Sequence, residues 1–381
     1  MQRLIFSAAL AVSLLAANRT MPADADEERA APKASAAASA ADGADAAAKV
    51  VPVSGSPAPQ QPIMGRYPRF RLVAWSKGST QLISTGDVGS LAKWETANDQ
   101  LQMHVLLSIP YHANSLATSQ RSSKILLGKN VGKVELRDGW SLDLVREFQT
   151  AEAGNTYAVA LSEDDQLFAS SGTDRVVQIW SIADGKRLHV LGQSASIIKA
   201  LAFSPDGAHL AAINQDGFLQ VWNIADETLV GPAVSVAGGY YSDVRFDRHG
   251  KAIIVTDRGI VTFFDLKSGV KPRVVRAPFS VSPEGPENYN GPVFANGRPF
   301  AGATALALDD ERAATVLKDG AVALWSVDTG RVLKTLPKPA VLNQSEHPGH
   351  EIESLCISPD VRKIAAVTRK GEIMIWLVPF P

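Results

Sequence analysis

From residue 64 onward, short apolar runs alternate with clusters of Gly, Asp, Asn and Pro. The clearest stretch is residues 201–230, where one apolar run ends at Phe203, a turn follows at Pro205–Gly207 and a second run covers Leu210–Ile213. Runs of this length, bounded by turn residues, are typical of β-strands, and no long helical period interrupts them. The pattern therefore predicts an all-β domain over residues 64–381.

The same unit recurs seven times along this domain. In each copy the third strand closes on a large apolar residue, and these closing residues are Trp94, Leu136, Trp180, Trp222, Phe264, Trp325 and Trp376. The first four intervals are 42, 44, 42 and 42 residues, and the last two lengthen to 61 and 51. This period is typical of one four-stranded propeller blade, whose faces are buried only by its neighbours. We therefore expect a seven-bladed β-propeller of four-stranded antiparallel blades.

On these repeats, residues 64–381 resemble the WD-repeat proteins, in a bacterial and exported form. The chain departs from the family pattern in two ways: no Trp is followed by Asp, and the Gly-His pair occurs once, at Gly349–His350. The family's hydrogen-bond network of His, Ser or Thr, Asp and Trp is therefore incomplete in every repeat. The resemblance implies a propeller fold and a role in protein binding.

Closure of the ring requires a strand from outside the last repeat. The chain stops at Pro381, soon after the third strand of that repeat. The missing fourth strand is expected from the N-terminal side, at Gln61–Met64 or alternatively at Lys49–Val53.

The first 63 residues have a different character. Arg3, the apolar residues 4–17 and an Ala-Asp-Ala sequence at 23–25 form the pattern of a secretory signal peptide. An uncleaved anchor and a mis-assigned start remain alternatives. Residues 26–63 are rich in Ala, Pro, Ser and Gly, which predicts a disordered linker. We expect a signal peptide over 1–25, a linker over 26–63 and a periplasmic or secreted protein. No later run reaches the roughly 20 apolar residues that span a membrane.

Charge and cysteine content exclude several function classes. The formal net charge is -1, which gives no general basis for binding nucleic acid. The single cysteine, Cys356, excludes an internal disulfide and a cysteine-rich metal site. Because Cys356 lies between Leu355 and Ile357, we interpret it as a small buried hydrophobe.

Motifs for catalysis or for cofactor binding are absent from the sequence. There is no nucleophile elbow, phosphate-binding glycine loop or zinc-protease helix, and the histidines are dispersed. His347 and His350 are separated by Pro348–Gly349, which breaks any helical spacing of metal ligands. The aspartates at 87, 174, 216, 257 and 319 recur in phase with the repeats, so we interpret them as turn residues. We expect no catalytic, cofactor-binding or metal-binding residue and no cofactor.

Two inserted segments, residues 278–302 and 337–350, provide the candidate binding surface. Each joins a fourth strand to the next first strand, so both are expected on one face, beside the turns between second and third strands. Aromatic and Arg residues are enriched in binding hot spots. The candidate partner-binding residues are Tyr240, Tyr241, Tyr289, Phe294, Arg298, Phe300, Arg175, Arg258, Lys318, Arg369 and Lys370. With Lys129, the turn cations would attract an acidic partner, although ordinary solubilising charge is the alternative reading.

The sequence thus predicts a monomeric, non-enzymatic scaffold that binds another protein through this face. Two alternatives stay open. One is a propeller enzyme, either a hydrolase or an oxidoreductase. The other is a propeller that binds a small ligand or glycan through Tyr240, Tyr241 and Tyr289.

Overall fold

Regular structure in this protein is almost entirely β. The computed structural model describes residues 52–53, 70–76, 79–97, 100–151, 154–236, 242–247, 250, 252–256, 260–265, 272–277, 304–307, 309–317, 319–338 and 351–378. Twenty-nine strands lie in these ranges, with two short 3₁₀ turns at Asp87–Gly89 and Asn130–Gly132. No helix within them is long and apolar enough to cross a membrane.

The strands form seven sheets, which we number by the order of their first strands. Sheets 1 to 3 contain β2 (Phe70–Trp75), β3 (Gln81–Gly86), β4 (Ser90–Ala97) and β5 (Gln100–Ser108); β6 (Ala113–Thr118), β7 (Lys124–Lys129), β8 (Lys133–Asp138) and β9 (Leu144–Gln149); and β10 (Thr156–Leu161), β11 (Leu167–Gly172), β12 (Val176–Ser181) and β13 (Arg187–Gln193). Sheet 4 contains β14 (Ile198–Phe203), β15 (His209–Asn214), β16 (Phe218–Asn223), β17 (Thr228–Leu229) and β18 (Val234–Ser235).

The remaining three sheets follow the same plan. Sheet 5 contains β19 (Ser242–Phe246), β20 (Ala252–Thr256), β21 (Ile260–Phe264) and β22 (Arg273–Arg276), and sheet 6 contains β23 (Thr304–Leu306), β24 (Arg312–Val316), β25 (Val322–Ser326) and β26 (Val332–Leu336). Sheet 7 contains β27 (Ile352–Ile357), β28 (Lys363–Thr368), β29 (Ile373–Leu377) and β1 (Pro52–Val53).

Sheets 1 to 6 are antiparallel, with their strands in chain order. In sheet 4 the fourth position is divided, because β17 and β18 both pair with β16. The expectation of an all-β chain built from four-stranded antiparallel units is therefore confirmed for these sheets. The turns between strands carry the Gly, Asp and Asn residues from which the strands were predicted.

Sheet 7 obtains its fourth strand from the N-terminal side. Pro52 and Val53 pair with Ile375 and Trp376 of β29, which falls in the second of the two segments expected from the sequence. The first, Gln61–Met64, lies outside the described residues. The pairing is parallel, unlike the fourth strands of the other sheets. No hairpin joins β1 to β29, so no tight turn imposes an antiparallel direction.

Neighbouring sheets share their apolar cores. Seven clusters of buried side chains occur among the described residues, and six of them contain residues from two consecutive sheets. Phe148 of sheet 2, for example, packs edge-on against Phe168 of sheet 3, with ring centroids 4.6 Å apart. The remaining cluster joins Phe70 and Trp75 of sheet 1 to Ile373 and Ile375 of sheet 7. Contacts therefore run from each sheet to the next and from sheet 7 to sheet 1, which is consistent with a propeller of the WD-repeat kind.

The tryptophan that closes a third strand occupies a repeated place in this packing. In three sheets its indole Nε1 donates to a hydroxyl ten residues earlier: Trp94 to Ser84, Trp180 to Ser170 and Trp325 to Thr315. Trp376 has Ala366 at that place and donates instead to the carbonyl of Pro337, at 3.0 Å. Three sheets thus contain a hydrogen-bonded Trp–Ser/Thr pair, which is one part of the family's hydrogen-bond network.

Sheet 2 differs from its neighbours at this position. Leu136 was predicted as its closing residue, but the strand register shows that this was wrong by one. Arg137 is the residue opposite Ile125, as Trp180 is opposite Phe168 in sheet 3. Because successive side chains on a strand point to opposite faces, this difference decides which neighbour is contacted. Leu136 packs toward sheet 3, and Arg137 occupies the place of the tryptophan.

Candidate functional site

Two classes of connection lie together on one side of the sheets. One class joins a fourth strand to the next sheet, and the other joins the second strand to the third. Backbone hydrogen bonds link the two: Ile109 N to Gly89 O, Gly132 N to Gly154 O, Ser194 N to Arg175 O, Gln215 N to Ile197 O, Val236 N to Gly217 O and Arg369 N to Glu351 O. We call this side the loop face. The expectation that both classes share one face is confirmed where the structure describes them.

The two insertions start from this face. Residues 278–302 follow β22 of sheet 5, and residues 337–350 follow β26 of sheet 6. Apart from Pro337 and Lys338, both segments lie outside the described residues. So do six of the candidate partner-binding residues: Tyr240, Tyr241, Tyr289, Phe294, Arg298 and Phe300. Their assignment to a binding surface stays a prediction.

The predicted cations of the turns divide into three groups. Arg175, Arg369 and Lys370 are exposed on turns of the loop face. Arg258 and Lys318 lie outside the described residues. Lys129 was expected among the exposed cations, and this was wrong, because only 1% of its surface is accessible.

Lys129 belongs to a buried ionic cluster in sheet 2. Its Nζ lies 2.5 Å from Glu135 Oε1, and Arg137 Nε lies 2.7 Å from Glu135 Oε2. We call Lys129, Glu135 and Arg137 the buried triad. Burial lowers the pKa of Lys129 from its ordinary value, while the hydrogen bond to Glu135 opposes that shift. Sequence reasoning did not identify this cluster, because lysine, glutamate and arginine are ordinarily surface residues.

The first strands present a recurring irregularity at the loop face. In sheets 1 to 4 a β-bulge inserts one extra residue at the second position of the first strand: Arg71, Asn114, Tyr157 and Lys199. Glu353 holds the same place in sheet 7. A bulged residue has no cross-strand partner, and bulges often redirect a side chain near a functional site. The first strands of sheets 1 to 4 contact one another in order, so these four residues are neighbours around the loop face.

Two groups of polar and aromatic contacts involve these residues. Lys199 Nζ lies 4.5 Å from the ring centroid of Tyr157, whose hydroxyl accepts a hydrogen bond from Asn155 Nδ2 at 3.0 Å. In sheet 2, Asn114 Nδ2 donates to Asn130 Oδ1 at 2.8 Å. Nδ2 of the same Asn130 lies 3.0 Å from Nε2 of His112, within hydrogen-bonding distance. Ammonium, phenol and amide groups thus lie together on sheets 3 and 4, and amide and imidazole groups lie together on sheet 2, which suits recognition of a polar protein surface.

Sequence reasoning missed the bulged residues, although a signal for them exists. Arg71, Asn114, Tyr157 and Lys199 are separated by 43, 43 and 42 residues, the period of the repeat. Because the four positions carry four different residue types, this period is not recognisable from residue identity. A bulge is a property of strand register, which a single sequence does not display.

Two non-glycine residues on the loop face of sheet 2 adopt a left-handed backbone. Tyr111 has φ 62° and Val131 has φ 64°, and both side chains are exposed. This conformation is a genuine outlier for a β-branched residue such as Val131, and it is a source of strain. Strained residues of this kind cluster at ligand-binding positions. The loop face of sheet 2 therefore holds two strained and exposed positions.

The repeat aspartates behave largely as turn residues. Asp174 and Asp319 each accept a hydrogen bond from the backbone N–H two residues later. In the turn of Asp216, the side chain that accepts this hydrogen bond is Asn214, whose Oδ1 accepts from the backbone N–H of Asp216. Asp87 instead forms an ion pair, with its Oδ1 3.3 Å from Nη1 of Arg71. Within the described ranges, no group of three or more His, Cys, Asp or Glu side chains is arranged to hold a metal ion.

Cys356 lies against the cluster between sheets 7 and 1, partly buried. Burial raises the pKa of its thiol well above the ordinary value. A protonated thiol is a poor nucleophile. This agrees with the interpretation of Cys356 as a packing residue.

Comparison with known protein families gives one match. The model of the WD domain, G-beta repeat, matches residues 143–181 and 185–223. Each matched segment begins at the fourth strand of one sheet and ends with the third strand of the next, so the repeat unit overlaps two sheets. No curated protein matches the chain. Repeats of this type generally mediate protein–protein interaction. The two matched segments, together with the four-stranded sheets, support the resemblance to the WD-repeat family.

Proposed function

We propose that this protein is an exported, monomeric scaffold without enzymatic activity that binds another protein through its loop face. In this proposal the sheets close into a seven-bladed propeller. The cyclic order of the apolar clusters, from each sheet to the next and from sheet 7 to sheet 1, supports closure. The pairing of β1 with β29 supports it as well, because it ties the two ends of the domain together.

The four bulged residues Arg71, Asn114, Tyr157 and Lys199, which we call the polar ring although they come from sheets 1 to 4 alone, are the observation that carries the proposal. These side chains come from four different sheets, and the bulge places each of them at the loop-face end of a first strand. Bulges are retained features that redirect a side chain, and they are common next to functional sites. The insertions at 278–302 and 337–350 start from the same face and would enlarge the contact surface.

We propose an acidic partner because of the exposed cations of the loop face, which lie among exposed carboxylates such as Asp216 and Asp319 on the same turns. Arg175, Arg369 and Lys370 are exposed on the turns that surround the ring, and Lys199 belongs to the ring itself. Exposed cations on one face raise the local concentration of an acidic partner and increase its association rate at low salt. Weaker binding at raised ionic strength is therefore expected.

Photo-crosslinking from single positions of the full chain tests the docking face. A photoreactive amino acid at Tyr157 is expected to capture one defined partner, whereas the same group at Thr329, exposed on the opposite side of sheet 6, is not. Deleting residues 278–302 is expected to reduce capture from position 157. Equal capture of the partner from both positions would refute docking through the loop face. Capture of a small molecule that the protein has chemically converted would refute a scaffold without enzymatic activity.

Export is tested separately. The apolar segment at 4–17 and the Ala-Asp-Ala sequence at 23–25 support cleavage near residue 25. Amino-terminal sequencing of the mature protein from the envelope and from the culture fluid is expected to begin near residue 26. A mature chain that starts at Met1 inside the cell would contradict a periplasmic or secreted location.

A further inference from the structure

Trp140 is the exception among the seven tryptophans of this chain. Trp75, Trp94, Trp180, Trp222, Trp325 and Trp376 are buried in the cores between sheets, whereas 62% of the surface of Trp140 is exposed. Trp140 follows Arg137, the residue that replaces the core tryptophan in sheet 2. Sheet 2 therefore carries an ion pair in its core and a tryptophan on its surface.

Trp140 lies on the side opposite to the loop face. Strand β8 starts at the loop-face turn Asn130–Gly132 and ends at Asp138, so the turn that follows it is at the other end of sheet 2. We call residues 139–145 the Trp140 turn. It therefore belongs to a different surface from the one in the proposed function.

Side-chain hydrogen bonds hold this turn in one conformation. Asp138 Oδ1 accepts from the backbone N–H of Trp140 at 2.8 Å and of Ser141 at 3.0 Å, and Ser123 Oγ donates to Oδ2 at 2.9 Å. The backbone hydrogen bond from Ser141 is the main cause of a lowered pKa for Asp138. The carboxylate thus stays ionised and continues to order the turn near neutral pH.

Two buried cations fix the carbonyl groups of the same turn. Lys93 reaches across from sheet 1 and donates to the carbonyl of Trp140 at 2.6 Å. Arg137 of the buried triad donates to the carbonyl of Leu142 at 2.7 Å. Leu142 is itself buried with φ 64°, a strained conformation for a leucine. A turn held in this way presents its exposed indole with little ordering cost on binding.

Exposed apolar and acidic residues follow the tryptophan within the Trp140 turn. Leu144 and Val145 are exposed, and Val145 has 61% of its surface accessible because a bulge leaves it without a cross-strand partner. The Asp143 carboxylate is exposed and makes no ion pair with any residue that the structure describes. The carboxylate of Asp138 adds a second negative charge at the base of the turn.

We propose that the Trp140 turn binds a basic, extended segment of a second protein, with an Arg or Lys side chain stacked on Trp140 and paired with Asp143. Tryptophan is the best aromatic partner for a cation, and a neighbouring carboxylate reinforces that preference. Leu144 and Val145 accept the aliphatic side chains of the same segment. The protein then binds two partners, an acidic one on the loop face and a basic one at the opposite end of sheet 2.

Indole NMR resonances of the full-length protein provide the test. The signal of Trp140 is assigned as the one missing in Trp140→Ala. The probe is the capped hexapeptide Arg-Val-Arg-Val-Arg-Val, compared with versions carrying Glu or Gln in place of Arg. The Arg peptide is expected to shift the Trp140 signal in a saturable way and leave the six buried indoles unchanged.

Variants divide the contribution of each group. We expect Trp140→Ala to weaken binding of the Arg peptide by about tenfold or more and Trp140→Phe by less. Asp143→Asn is expected to weaken it by about two- to fivefold, the range of an exposed ion pair. The matched controls Val274→Ala and Asp216→Asn remove an exposed valine and an exposed aspartate elsewhere and are expected to leave binding unchanged. Unchanged thermal melting of all variants excludes unfolding as the cause.

Several results would overturn the proposal. Equal binding of the Gln or Glu peptide would make the surface merely apolar. Binding of phosphatidylcholine vesicles that is lost in Trp140→Ala would identify a lipid contact. Self-association of the wild type that Trp140→Ala abolishes, measured by analytical ultracentrifugation, would identify a second copy of this chain as the occupant. None of these outcomes bears on the loop face, which the crosslinking at Tyr157 tests by itself.

Discussion

Neutralising Glu135 in the buried triad is expected to destabilise the protein by about 3–5 kcal/mol, the usual cost of removing one partner from a buried ion pair. Glu135 accepts a hydrogen bond from Lys129 at 2.5 Å and another from Arg137 at 2.7 Å, and all three side chains are buried. Hydrogen bonds to charged groups contribute about 1.5–3 kcal/mol each, so two of them account for the loss. Glu135→Gln is the appropriate change, since it removes the charge without changing the volume.

The variant should also have a distinctive pH dependence. Burial already lowers the pKa of Lys129 from 10.5, and loss of the Glu135 carboxylate lowers it further. Between that lowered pKa and 10.5 the unfolded chain binds more protons than the folded chain, so stability rises with pH. The deficit of Glu135→Gln relative to wild type is therefore expected to shrink, without vanishing, as pH rises from neutral.

Sheet 7 supplies the matched control. Thr368, Met374 and Trp376 occupy the places in sheet 7 that Lys129, Glu135 and Arg137 occupy in sheet 2. The triple variant Lys129→Thr, Glu135→Met, Arg137→Trp replaces the ions with a set that this fold already packs. Replacing a buried ionic cluster by apolar residues of similar volume is often neutral or stabilising by about 1–4 kcal/mol. We expect the triple variant to be at least as stable as wild type.

Urea unfolding followed by both circular dichroism and tryptophan fluorescence measures these differences. Coincident transitions from the two probes justify a free energy of unfolding for each variant. The reasoning is refuted if Glu135→Gln unfolds within about 1 kcal/mol of wild type, since an uncompensated buried charge costs more. A triple variant that loses as much as Glu135→Gln would instead indicate that packing, and not charge, determines the cost.

Three further predictions follow from the same structure. Trp222→Ala removes a buried core residue and should lower the free energy of unfolding in urea by about 3–5 kcal/mol. Trp140→Ala should change it by less than about 0.5 kcal/mol. Similar losses in the two variants would contradict either the burial of Trp222 or the exposure of Trp140. Asp206 has a pKa below 3.8 because Ser204 donates to its carboxylate, so its stabilising contribution is present above that pH and is lost as the pH falls; the difference in thermal stability between wild type and Asp206→Asn should narrow with acidification. Cys356 should react with a thiol reagent more slowly in the native protein than after unfolding, because burial raises the pKa of its thiol, and equally rapid labelling of both states would contradict its role as a packing residue.

The fold class could be predicted because the repeat contains residue types that determine local structure. Turn residues such as Pro205–Gly207 and Asp216–Gly217 mark strand ends, and tryptophans such as Trp180 and Trp222 mark third strands. Sheet 2 was misassigned by one residue because Arg137 stands where a large apolar residue was expected. Burial of an arginine depends on Lys129 and Glu135, which lie close to it only after the strands have paired.

The candidate site was predictable in position but not in composition. The side on which the loops lie follows from strand order alone, and the backbone hydrogen bonds confirm it. The residues of the ring, such as Tyr157 and Lys199, depend on bulges that appear only in the register between strands. Sequence reasoning did not identify Trp140 as a binding residue, and the cause is similar. A tryptophan in this repeat is ordinarily a core residue, and only the geometry of the turn places Trp140 on the surface.

The exceptions to the repeat meet in one sheet, and this gives them a common physical basis. Lys129 ends β7 beside the loop-face turn, while Arg137 at the far end of β8 holds the carbonyl of Leu142 in the Trp140 turn, and Glu135 connects the two cations. An apolar core would support either end of sheet 2 without linking them, because dispersion contacts are not directional. Charge-assisted hydrogen bonds are directional, so a displacement at one end changes the geometry available at the other. If the triad couples the two surfaces, the affinity of the Trp140 turn for the Arg peptide should change when the loop-face partner is bound, and this coupling should disappear in the triple variant.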